Sequence, residues 1–158
     1  MLRHDAPEKI LVLHGPNLNL FGRREPHIYG TMTLEQINER LRTLAAKIQV
    51  QLIVFQSNHE GALVDMLHKH IDDVSGALIN PAGLTQHGVS LHDAIKAMPF
   101  PVIEVHMSNI AAREEWRHHS IIASAVKGTI QGLGFRSYLM ALRTLADWAA
   151  EAKKAKKK

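Results

Sequence analysis

Arg24 and Tyr29 stand close together on a loop rich in Gly, Pro, Asn and Arg that runs over residues 15–32. A phenol titrates at about pH 10, and a fixed cation beside it favours the phenolate. An Arg–Tyr pair is therefore one route to a general base that works nearer neutrality. Pro26 separates the two residues, which predicts an irregular segment rather than a shared helix face. The same loop reads equally as a mobile surface segment with solvated arginines, or as a lid that closes over a site. A second reactive group, His106, ends the run VIEVH, with Ser108 two residues on. Glu104 shares the strand parity of His106, so its carboxylate can orient the imidazole, although a histidine at a strand end can also be purely structural. The chain has eleven histidines, but His118 and His119 are adjacent, and His68 and His70 are two apart. Neither spacing puts both rings on one helix face, and no zinc spacing is present, so no metal site is expected.

Alternating strands and helices must position these groups. KILVLH (residues 9–14) reads as a buried first strand ending in a Gly-Pro turn. Thr33 with Gln36 forms a capping box, and Leu34, Ile37, Leu41 and Leu44 follow at helical spacing. Further strands are expected at 50–56, 76–80, 101–106 and 126–131, with helices at 62–72, 89–98 and 135–152 and a helical turn or two at 113–119. The pattern predicts a flavodoxin-like, three-layer, doubly wound α/β fold with a five-stranded parallel sheet. Ligands of such sheets bind beyond the carboxyl ends of the strands. Those ends carry Asn17, Gln56 to Asn58, Asn80 and His106 to Asn109, all rich in amide, hydroxyl and imidazole groups.

The length of 158 residues suits one domain, read as an N-terminal stub (1–8), a domain over 9–152 and a disordered lysine-rich tail (153–158). The net charge of +4 resides in that tail, which holds five lysines. Without them, 14 basic residues face 15 acidic ones, so no nucleic-acid partner is expected. Apolar runs fall far short of the ~20 residues needed to span a bilayer, which argues against a membrane partner. The run at 10–13 is too short for a signal-peptide core. The absence of cysteine removes disulfides and thiolate chemistry and fits a reducing cytoplasm.

Several occupants of such a fold are excluded. The strand ends lack the acidic residues that hold magnesium in receiver domains, and there is no phosphate-binding Walker loop. Gly132 and Gly134 lack the third glycine of a dinucleotide fingerprint and instead suit the turn into the last helix.

The motifs NLNLFG (17–22), RREPHIYG (23–30), QSNHEG (56–61), INP (79–81), IEVHMSN (103–109) and REEWR (113–117) together resemble type II 3-dehydroquinate dehydratase, over roughly residues 9–148. That resemblance implies a cofactor-free lyase converting 3-dehydroquinate to 3-dehydroshikimate, in aromatic biosynthesis or quinate breakdown. It implies Tyr29 as base, Arg24 as its activating cation and His106 as acid. Asn17 would hold a water at the enolate. Met107 and Ser108 would cradle the substrate carboxylate, and Asn80 and Arg117 would meet its hydroxyls. The family's trimers pack into a dodecamer, in which Asp93 would reach a neighbouring subunit's site.

One departure stands out. The family carries Thr-His, a hydroxyl residue and Ser after the third strand, whereas this chain reads Thr85-Gln86-His87-Gly88. Gln86 can hydrogen-bond a hydroxyl but cannot become cationic, and His87 would replace the usual histidine if the loop shifts by one residue. A non-catalytic binding module that keeps the anion pocket is the alternative this departure leaves open.

Overall fold

The computed structural model describes residues 6–156. Five parallel strands, β1 (Lys9–His14), β2 (Gln51–Gln56), β3 (Gly76–Asn80), β4 (Val102–His106) and β5 (Gly128–Gln131), form one sheet in the order β2-β1-β3-β4-β5. Strand period two sends alternate side chains to opposite faces. Ile10 and Val12 therefore join Leu78, Ile103 and Val105 beneath α2 (Leu34–Lys47) and α5 (Arg136–Ala155). Leu11 and Leu13 join Ala77 and Ile79 beneath α3 (Glu60–Lys69) and α4 (Val89–Lys96). This is the expected three-layer, flavodoxin-like fold. Both faces are covered, so β1, β3 and β4 are buried along nearly their whole length.

The Thr33 capping box forms in full, and its helix buries Leu34, Ile37 and Leu41. Two expectations change. The segment 15–32 is not irregular throughout: Leu18–Leu20 makes a 3-10 turn, and Pro26–Tyr29 forms a one-turn helix, α1. Pro26 sits at the start of that turn, where its missing N–H costs nothing, so it opens a helix rather than breaking one. The tail is likewise not disordered from residue 153. Helix α5 runs to Ala155, and Lys153 lies 3.6 Å from the Glu8 carboxylate. Lysine is a good helix former, and cations in the last turn complement the helix dipole. Residues 1–5 of the expected stub, and Lys157 and Lys158 of the tail, lie outside the described residues. Among the described residues no helix is long and apolar enough to cross a membrane.

Candidate active site

The chain changes direction across the sheet between β1 and β3, and a cavity of about 360 Å³ opens beyond the carboxyl ends of β1, β3 and β4. Gly15 makes this convergence possible. Its N–H donates to the Asn80 carbonyl at 2.8 Å, and a Cβ there would stand 2.6 Å from the Pro81 carbonyl oxygen. Ten of the twelve residues singled out in the sequence line the cavity: Asn17, Arg24, Tyr29, Asn80, Gln86, His87, His106, Met107, Ser108 and Arg117. Glu104 lies directly behind His106, while Asp93 lies elsewhere.

The floor of the cavity is built into the sheet. His106 is buried, and its Nε2 lies 2.5 Å from Oε1 of Glu104, which is itself completely buried. The Ser120 hydroxyl donates to the same carboxylate oxygen at 2.8 Å. The parity argument for Glu104 therefore holds in space. With one imidazole nitrogen on a carboxylate, the other is the nitrogen left to exchange a proton with a ligand.

The opposite wall is the segment after β1. Buried Phe21 anchors it and packs its ring 5.4 Å from that of Tyr29. The guanidiniums of Arg24 and Arg113 each lie 5.3 Å from the Tyr29 ring centre. Their roles differ, however. Arg113 Nη1 donates to the Tyr29 hydroxyl at 2.8 Å, and reaches the Ser108 hydroxyl at 3.4 Å. Arg24 Nη2 donates to Glu25 at 2.9 Å, and that bond holds the Glu25 carboxyl below its ordinary titration range. The cation on the Tyr29 oxygen is therefore Arg113 and not Arg24. Glu25, in a left-handed backbone conformation at the head of α1, keeps Arg24 beside the ring instead.

A family model described as "Dehydroquinase class II" matches residues 8–146. The chain belongs to the class II dehydroquinase family. The protein of Nostoc sp. named 3-dehydroquinate dehydratase is 52% identical over 139 residues, covering 88% of this chain and 95% of its own. The crystal structure of the type II dehydroquinase from Propionibacterium acnes superposes with a TM-score of 0.86 at 44% identity, covering 89% of this chain and 97% of that one. The type II dehydroquinase from Butyrivibrio crossotus gives a TM-score of 0.87 at 36% identity, with 89% and 99% covered.

The loop that departs from the family pattern lines the cavity with Thr85, Gln86 and His87. Gln86 Nε2 donates to the Arg117 carbonyl at 3.2 Å, which turns the amide oxygen the other way, buried and without a hydrogen-bond partner among the described residues. His87 lines the same cavity, so both candidates for the usual histidine position are present. Asp93, on α4, has a side chain 73% exposed and bonded to the neighbouring His92, and it does not line its own chain's cavity. Among the described residues no three His, Cys, Asp or Glu side chains gather as a metal ion would require.

Three participants were missed in the sequence. Arg113 lies 84 positions from Tyr29, and no local pattern announces that contact, although it opens the REEWR motif. Ser120 and Tyr138 give no motif signal. Tyr138 is completely buried in α5 and accepts a hydrogen bond from Asn80 at 2.8 Å, with burial pushing its phenol up from the ordinary value.

Proposed function

We propose that this chain dehydrates 3-dehydroquinate to 3-dehydroshikimate by anti elimination through an enolate, with Tyr29 as base and His106 as acid. The observation that carries the reading is the placing of the two groups on one cavity, each with its own charged partner. Tyr29 has a guanidinium on its oxygen, and His106 has a carboxylate on its ring.

Loss of water beside a ketone needs a base on one side, stabilisation of the developing oxyanion and a proton donor at the leaving oxygen. Tyr29, as phenolate stabilised by Arg113, removes the proton next to the ketone, and the C–H electrons move onto the ketone oxygen as an enolate. Asn17, which lines the cavity, would hold a water against that oxygen. The enolate then re-forms the carbonyl, the new C=C bond closes and the C–O bond breaks. His106 delivers a proton to the departing hydroxyl, which leaves as water. The proton gained by Tyr29 balances the one lost by His106, so transfer through solvent restores both.

The substrate carboxylate would be received by Ser108 and Met107, close to Arg113. Asn80, Arg117 and the unpartnered oxygen of Gln86 would meet its hydroxyls. A buried acceptor without a partner is costly, and a substrate O–H removes that cost, so Gln86 still serves a hydroxyl site without charge. Asp93 is exposed on α4 and would act in the site of a neighbouring copy within a trimer, four trimers making the dodecamer. Light scattering of the purified protein tests that assembly, and a monomer that retains full activity would remove Asp93 from the site. Mixing 3-dehydroquinate with the protein should raise the ultraviolet absorbance of the conjugated enone. No rise at high protein concentration would sink the assignment in favour of a binding module.

A further inference from the structure

We propose that Tyr138 is a positioning residue of this site: it fixes the Asn80 side-chain amide so that one N–H donor is held toward the cavity. The inference rests on the dehydratase reading for its ligand, and on four contacts for its geometry. Asn80 lines the cavity while almost fully buried, and Tyr138 is completely buried and does not line it. The Asn80 Oδ1 accepts the Ala82 N–H at 3.1 Å, and Nδ2 donates to the Tyr138 oxygen at 2.8 Å.

A side-chain amide has one oxygen and two N–H donors. The Ala82 N–H decides which end is oxygen, because a flipped amide would set donor against donor. The Tyr138 oxygen then takes one of the two N–H groups. The second is left for a ligand oxygen, such as a ring hydroxyl of the substrate. Ala82 has a φ of 52°, a left-handed conformation, so the turn that begins the loop to Gln86 depends on the same bond.

Tyr138 is itself braced. Its ring lies 5.5 Å from that of buried His14, and His14 Nε2 lies 2.8 Å from Asn38 Oδ1 on α2. A buried line of contacts thus runs from α2 through β1 to the cavity wall, its link between His14 and Tyr138 being a tilted ring contact that leaves His14 Nδ1 without a hydrogen-bond partner among the described residues.

Tyr138→Phe keeps the ring and deletes the hydroxyl, and with it the acceptor of the Asn80 amide. We expect KM to rise about tenfold with kcat changed less than threefold, the size of one lost neutral hydrogen bond to the ligand. Asn80→Ala should show a similar rise, and Tyr138→Phe added to it should cost nothing further. A purely structural role would instead lower Tm with KM unchanged, or give penalties that multiply; either result overturns the proposal.

A measurement on the wild-type fold covers the case in which Tyr138→Phe does not fold. The chain has two tyrosines, so protein carrying ¹³C at the tyrosine ζ carbon gives two signals, assigned with Tyr29→Phe. Saturating 3-dehydroshikimate should shift the Tyr138 signal in the wild type and leave it in place in Asn80→Ala. A Tyr138 signal indifferent to ligand in the wild type also overturns the proposal. Failure of the dehydratase reading would show separately, as wild-type protein without turnover.

Discussion

The two proposed proton-handling groups sit in regions of opposite character. His106 ends a central strand, β4, buried on both faces, and its Glu104 partner is held a second time by Ser120. Tyr29 ends a single helical turn on the surface side of the cavity, held by Phe21 and by a guanidinium from a distant segment. The proposed acid is thus fixed by the sheet itself, through partners on β4 and the segment after it. The proposed base is assembled from segments far apart in sequence. The proposed acid is held by a rigid element, whereas the proposed base lies on a wall made of connecting segments.

Breaking the side assembled from distant segments should cost most. Tyr29→Phe removes the proposed base without removing the packing on Phe21, and turnover should fall about 10³- to 10⁴-fold while Tm holds. Near wild-type activity in a continuous absorbance assay would take Tyr29 out of the mechanism. Arg113→Ala should come next, about 10²-fold in kcat, because it deletes the donor on the Tyr29 oxygen. Arg24→Ala should cost about tenfold, since Arg24 flanks the ring and binds Glu25. The order of those two variants sharpens the comparison, and a larger loss for Arg24 would restore it as the activating cation. Gln86→Ala should raise KM about three- to tenfold and spare kcat, because its lone oxygen is placed for binding.

The sheet side makes a separate prediction about stability. Burial pushes His14 down from the ordinary 6.5 to about 4, against a smaller opposing effect of its bond to Asn38. The unfolded chain therefore binds a proton between those values that the folded chain refuses. The stabilisation is full above pH 6.5 and is lost as pH falls toward 4, amounting to roughly 3 kcal/mol from the size of that shift. Denaturant unfolding of wild type and His14→Gln should diverge with that sign. A difference between them that is flat from pH 7 to 4 would contradict it.

The same contrast explains what the sequence disclosed. The buried strands announce themselves, since KILVLH, GALIN and VIEVH are short runs rich in aliphatic residues, and Glu104 is legible beside His106 by parity alone. The capping box at Thr33 is equally local. The contact between Arg113 and Tyr29 is not, because it depends on how the segment after β4 folds back across the cavity. Tyr138 escapes notice for a related reason: a tyrosine on an apolar helix stripe looks like core, and only its hydroxyl partner distinguishes it. The lysine-rich end misleads in the other direction. Its charge suggests disorder, while its helix propensity and the Glu8 contact carry α5 to Ala155.

Deuterium exchange in the substrate tests the division of labour most directly. In D2O, His106→Asn should wash deuterium into the position next to the ketone of 3-dehydroquinate faster than it forms enone, because the base still acts while the acid is missing. Tyr29→Phe should neither exchange nor eliminate above the protein-free rate. Exchange that survives in Tyr29→Phe, or that disappears in His106→Asn while Tyr29 remains, would contradict the account.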